Sequence, residues 1–353
     1  MLKIKFYYFC KFIGCFHLAR WLTRRKLRIL CYHGFSICDE HVFWPEVYMD
    51  SELFRKRMEY LSQNGYPVLP LEEAIEGLQK GNLTACPTVL TIDDGFYSVM
   101  KKALPVLLNL HIPCTVYVTT YYCLKGNPVF RIVVQYMFWK TTETTLSFNG
   151  LGVEQTGEIC LQDSASKKEA VWKIIDHAEN HMDEEQRVLL CQELGKRLAV
   201  DYSTIVSTRQ FTLMTLEEIR EASEAGIDIQ LHAHRHRLPV QPELVREEIE
   251  QNRKVLEPLT GRMLRHFCYP SGIYSKEHFG PLASVDVSSA VTCEGGLNST
   301  GAETLSLRRF LDGNTISWIE FEAEMSGFTQ LLRDGRSWLK QFPLWRKNII
   351  ADN

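Results

Sequence analysis

A chain of 353 residues can bury a large core, and 45% hydrophobic with 24% charged residues is the balance of an ordinary globular protein, so one large domain is expected. The net charge of -3 gives no electrostatic reason to expect nucleic acid as a partner. The 11 cysteines are odd in number, scattered and without a C-x-x-C pair, which argues against a disulfide framework or a zinc ribbon and for free thiols in a reducing compartment.

The first stretch, MLKIKFYYFCKFIGCFHLARWLTRRKLR, has the outline of a signal peptide. Lys11, His17 and Arg20 interrupt its apolar run, however, and no small-residue cleavage site follows. The run is also too short and too broken to span a bilayer. Residues 1–27 are therefore expected to form a basic, aromatic-rich amphipathic segment. Either Lys3, Lys5, Lys11, Arg20, Arg24, Arg25, Lys26 and Arg28 meet anionic headgroups at a membrane surface, or the segment packs on the domain as a helix. The periodicity does not choose between the two.

From Arg28 onward short apolar runs alternate with helical patterns, which predicts an α/β architecture with a mostly parallel sheet. RILCYHG, PTVLTIDDG, CTVYVTT, IDIQLHAH, LRHFCYP and SSAVTC are the strand candidates. Helices are expected over Ser51 to Asn64, Ser98 to Asn109, Thr215 to Ala225 and Glu243 to Leu259, where apolar residues recur at three- and four-residue spacing. The stretch 122–210 breaks this rhythm and reads as an insertion or lid. It divides a domain over 28–320, which a helical tail over 321–353 follows. No repeat and no dinucleotide or P-loop glycine pattern is present.

Two stretches could carry chemistry. In VLTIDDG, strand alternation sends Asp93 and Asp94 in opposite directions, and Gly95 lets the chain turn at once, at the strand end where α/β folds build their sites. An isolated Asp-Asp-Gly is more often a turn whose carboxylates cap the next helix. In DIQLHAHRHRLP, the polar strand face ends in His232, followed by His234 and His236. Three histidines in five residues beside a strand end favour a metal over a solvated basic loop, although spacing alone does not say which two would bind it.

TIDDG, HAHRH and FCYPSG, in this order, resemble the motifs of the polysaccharide deacetylase family, the NodB-homology fold of carbohydrate esterase family 4. LCYHGFS, ALPVLLNLHIPCTVYV, AVTCEGGLN and LSLRRF add to the likeness, which runs from about Arg28 to Leu311. The resemblance implies a distorted (β/α) barrel of about seven strands, here with the insertion after the third core strand. It also implies a divalent metal, zinc first, held by Asp94, His232 and His236, with Asp93 as general base and His234 left beside the site. Cys268 stands where the family has an arginine that pairs with the base, and Ser271 where it has a tyrosine. Losing that cation should raise the carboxyl pKa of Asp93 unless another takes its place. Arg309, thought to follow a late strand, is the expected substitute, with Arg308 as the alternative. The family's late Leu-x-His, source of the general acid, has no match, which leaves His33 as the candidate acid. Ser271, Tyr269 and His234 are the expected substrate or oxyanion residues.

The implied activity is hydrolysis of an N-acyl group, N-acetyl first, from an amino sugar of a polysaccharide, lipid-linked or nucleotide-linked glycan. The expected place of work is the cytoplasm, at the inner face of the membrane. The alternatives are a non-catalytic carbohydrate-binding domain or another metal-dependent amidohydrolase, whose His-x-His normally lies on the first barrel strand.

Overall fold

Seven parallel strands close into a barrel: β1 (Arg28–Tyr32), β2 (Thr88–Ile92), β3 (Thr115–Val118), β4 (Asp228–Leu231), β5 (His266–Cys268), β6 (Ser289–Gly295) and β7 (Leu307–Leu311). Each pairs with its neighbours in sequence, and β1 closes the ring by pairing with both β2, in register Leu30 to Leu90, and β7, in register Leu30 to Phe310. The computed structural model describes residues 2–153 and 157–341, so the end of the expected tail, 342–353, lies outside the described residues. β1, β2 and β3 are buried along their whole length, because one face lines the barrel and the other lies beneath helices. That is why they read as near-continuous apolar runs.

The helical layer follows from local signals. Before β1 come α1 (Leu2–Phe12) and α2 (Cys15–Leu22), and between β1 and β2 lie α3 (Ser51–Gln63), started by an Asp50 cap on the Leu53 N–H, and α4 (Leu71–Lys80). A π-helical turn over Val99–Ala103 leads into α5 (Leu104–Asn109) before β3. The insertion holds α6 (Phe130–Lys140), α7 (Ser164–His181) and α8 (Glu184–Arg197), with a small antiparallel hairpin of Thr145–Ser147 against Glu158–Cys160. Val133, Ile174 and Leu194 are fully buried in a core continuous with that of the barrel, so the insertion is a packed layer. The barrel then resumes with α9 (Leu216–Glu224), opened by a Thr215 and Glu218 capping box, and with α10 (Pro242–Thr260), closed by left-handed Gly261. After β7, α11 (Trp318–Met325) and α12 (Phe328–Gln341) return along the barrel wall.

Two sequence expectations change. Arg309 does not follow a late strand: Leu307–Leu311 is itself the seventh strand, with Arg309 inside it. The N-terminal segment is two helices broken at Gly14, which takes φ 83°. They pack through Tyr7, Cys10, Phe16 and Ala19 against Ile319, Ala323 and Phe328 in a small core of their own.

Candidate active site

The chain turns sharply where β2 ends. Asp93 N–H donates to the Tyr32 carbonyl of β1 at 2.9 Å, and Asp94 and Gly95 follow at φ 70° and 84°, both in the left-handed region. The turn separates the two carboxylates as the alternation required. Asp93 faces into the barrel and is buried, whereas Asp94 faces the rim at the ends of the strands.

Asp94 Oδ1 lies 3.2 Å from Nε2 of both His232 and His236, whose rings are 4.9 Å apart. The histidines reach it because the chain reverses after β4, with Ala233 and His236 both at positive φ. His232 Nδ1 lies 2.8 Å from the Cys268 carbonyl, an oxygen that only accepts, so this nitrogen carries the proton and donates it. With Nδ1 so occupied, Nε2 is the atom His232 has left for a metal. Three such atoms, all within 4.8 Å of one another, fit a metal, since ligands about 2.0–2.2 Å from a tetrahedral zinc stand roughly 3.3–3.6 Å apart. Burial pushes the Asp94 carboxyl up, but the two histidines outweigh it and hold it well below the usual range. His236 is shifted the other way: burial disfavours its charge, and Asp94 raises its pKa above that of an ordinary imidazole.

Asp93 receives the cation expected of it. Arg309 Nη1 and Nη2 donate to Oδ1 and Oδ2 at 2.7 Å each. Its Nε donates to the Thr292 carbonyl, Nη1 also to Thr91 Oγ1, and Nη2 also to Cys268 Sγ, so all five N–H groups of a fully buried guanidinium are engaged. Burial pushes Asp93 up, yet the charge of Arg309 prevails and keeps it ionised far below its ordinary range. Arg308, the alternative, is half exposed near Glu294 and points away. The rise in pKa that Cys268 alone would bring is therefore absent.

Other expectations fare differently. His33 Nε2 lies 3.7 Å from Asp93 Oδ2 and is partly exposed at the rim. His234 does not join the triad: its Nδ1 pairs with Thr120 Oγ1, and its carbonyl receives the Tyr121 N–H at the start of the insertion. Tyr269 does not face a substrate, because it is fully buried and its hydroxyl donates to the Leu305 carbonyl. Ser271 is exposed in the turn after β5 at φ 56° and makes no hydrogen bond to the triad among the described residues.

The sequence reading missed Cys31 and Asn252, and gave Cys268 no role of its own. Cys268 and Cys31 point their thiols at Asp93 Oδ2, at 3.2 and 3.5 Å, and burial drives both thiol pKa values well up, so they stay S–H donors. Asn252, buried on α10, accepts the His232 backbone N–H and donates to the Val118 carbonyl and Thr120 Oγ1, tying β3 to β4 beneath the histidines. No local pattern marks Asn252. Only its place on the inner face of α10, where an apolar residue is usual, singles it out.

Residues 194–288 match the family described as polysaccharide deacetylase. Among solved structures, the fold is similar to that of Streptococcus pyogenes deacetylase PplD in complex with acetate, with 18% identity, 86% of this chain and 99% of that one covered, and a TM-score of 0.57. IcaB from Ammonifex degensii has 18% identity over 85% of this chain and 97% of its own, with a TM-score of 0.54. A putative polysaccharide deacetylase from Bacillus anthracis has 16% identity over 86% and 69%, with a TM-score of 0.52. No curated protein matches the chain in sequence. The structural neighbours share the fold, and the matched family segment contains HAHRH and FCYPSG. Together they support the polysaccharide deacetylase family that the motifs indicated.

Proposed function

We propose that this protein removes an N-acyl group, N-acetyl first, from an amino sugar of a polysaccharide, lipid-linked or nucleotide-linked glycan. The observation that carries this reading is the convergence of Asp94 Oδ1 on the Nε2 atoms of His232 and His236, next to a second, buried carboxylate on Arg309. Asp94, His232 and His236 would hold a divalent metal, zinc first, which when bound supplies a Lewis acid and an acidified water. Asp93 is ionised and ready to take the proton of the attacking water. Arg309 and the two thiols fix its carboxylate in one orientation before any substrate arrives. His33, at the rim beside Asp93, passes a proton to the departing amine. The backbone N–H of Ser271, in the exposed turn after β5, is the candidate donor to the developing oxyanion.

Two structural neighbours, the Streptococcus pyogenes deacetylase and the putative polysaccharide deacetylase from Bacillus anthracis, agree with this class of reaction. The histidines follow the fourth strand, not the first, which disfavours the amidohydrolase alternative. The eleven cysteines are all free, which supports work in the cytoplasm, at the inner face of the membrane. The test is metal content of the purified protein together with acetate or formate release from a panel of N-acylated sugars. A protein that binds metal and releases neither acid would be a glycan-binding domain, and one that binds no metal would overturn the site.

A further inference from the structure

Independently of the reaction, α1 and α2 present an apolar surface that the fold does not use. Leu2, Phe6, Phe9 and, just past the helix end, Ile13 recur at four-, three- and four-residue spacing along one side of α1, each about half exposed or more, with Phe6 also meeting Phe328. Leu18, Trp21 and Leu22 do the same on α2. A neighbouring side of each helix carries Tyr7, Cys10, Phe16 and Ala19 into the small core with α11 and α12, so the apolar surface of each short helix is wider than the part the fold covers. A contiguous exposed surface of this kind is uncommon unless something covers it.

The charges indicate what does. Eight Lys and Arg lie within the first 28 residues, and no Asp or Glu occurs before Asp39. Lys3 and Lys11 are held on Glu320 and Glu322 of α11, and Arg20 on the Asn64 and Gly65 carbonyls, so these three fasten the hairpin to the barrel. Buried Arg28 completes the seat through the Met325, Thr23 and Lys26 carbonyls. Lys5 and Arg25 form no ion pair among the described residues. No helix of the described residues is long and apolar enough to cross a membrane.

We infer that the α1–α2 hairpin is an interfacial anchor that lies on an anionic lipid bilayer, with its Phe, Trp and Leu side chains among the headgroups and its unpaired cations against lipid phosphates. The hairpin is fastened to the entry ends of the barrel strands, where Cys86 N–H donates to the Arg24 carbonyl and Leu27 N–H to that of Asn298. The reacting residues stand at the exit ends, so lipid contact leaves the site open.

The experiment is co-sedimentation of the full chain with vesicles of phosphatidylcholine alone or mixed equally with phosphatidylglycerol, at low and high salt. Binding is expected on the mixed vesicles, at least tenfold weaker on the neutral ones, and weakened by salt. Phe9→Glu with Trp21→Glu should abolish it. Lys5→Glu with Arg25→Glu, which disturbs no packing, should weaken it about 25-fold or more, at roughly fivefold per cation removed. Neither pair should change turnover of a soluble substrate. Absence of vesicle binding by the folded wild type overturns the inference. If that protein is instead a dimer that Phe9→Glu dissociates, the surface joins two copies of this chain.

Discussion

Arg309, in the middle of β7, grips Asp93 at the end of β2 through both carboxylate oxygens, 216 residues away in sequence. The same guanidinium touches Cys268 on β5, so a small side chain at position 268 leaves room for a cation entering from β7, two strands further around the ring. Removing one member of a buried pair strands the other. Arg309→Met is expected to cost about 3–5 kcal/mol of stability, read as a lowered denaturation midpoint. Arg309→Lys keeps the charge and loses the two-pronged grip, so turnover should fall about 10- to 100-fold with bound metal retained. A lysine variant with full activity would show that orientation of Asp93 does not matter.

The two adjacent aspartates should separate cleanly on substitution. Asp94→Ala or His232→Ala removes a proposed ligand, and both bound metal and hydrolysis are expected to disappear. Asp93→Asn leaves the three ligands in place and should keep the metal, while turnover drops roughly 10²- to 10⁴-fold for want of a base. Metal analysis beside single-turnover acyl release distinguishes the two patterns. Normal turnover by metal-replete Asp93→Asn would refute the base assignment.

Asn252 touches no proposed reacting atom, yet it holds the His232 backbone and two groups at the end of β3. Asn252→Leu would leave the His232 N–H and Val118 carbonyl buried without partners, at about 1–3 kcal/mol each. A purely structural role would lower the midpoint of unfolding alone. A positioning role should also weaken metal binding about 10- to 100-fold. Asn252→Asp, which still accepts from His232 N–H but gives nothing to Val118, should recover part of the metal affinity.

Gly95 makes the rim turn possible. A Cβ there would stand 3.1 Å from Val118 Cγ1, at a φ of 84° that costs an L-residue about 1–2 kcal/mol. Gly95→Ala is expected to destabilise by about 1–3 kcal/mol and to shift Asp94, seen as weaker metal binding out of proportion to the change in unfolding midpoint.

What the sequence revealed, and what it hid, follows from how far each signal reaches along the chain. Asp93, Asp94, His232 and His236 were legible because strand alternation and the following turns are local, and the family motifs covered the same residues. Arg309 was legible only as one of two neighbours. Adjacent strand residues face opposite ways, and without knowing that 307–311 is a strand nothing favours the inward one over Arg308. Cys31, Cys268 and Asn252 meet their partners only once the ring closes, so no window of sequence shows their donors. The N-terminal periodicity looked poor because Gly14 breaks the segment, and each half keeps its own face. Tyr269 was misjudged from its motif neighbours: its ring turns inward, where it stacks on Tyr274.

Proton competition at the ligands gives a pH dependence whose sign is fixed by chemistry. A metal takes histidine as the neutral ring and aspartate as the ionised carboxylate, so binding must expel any proton they hold. Asp94 stays ionised down to unusually low pH and does not compete. His236 does. Although burial opposes its charge, the nearby Asp94 carboxylate raises its pKa, so in the metal-free protein it keeps a proton to higher pH than a free imidazole would. Metal affinity should therefore be full above that raised pKa and fall as pH drops through it, by about tenfold per unit while a single proton is displaced. Titration of the chelator-stripped protein with zinc between about pH 5.5 and 8 is expected to show this slope. His236→Gln, which keeps a neutral polar group and has no proton to lose, should bind zinc more weakly at every pH but with a flatter profile. An unchanged slope in that variant would assign the competing proton to another group.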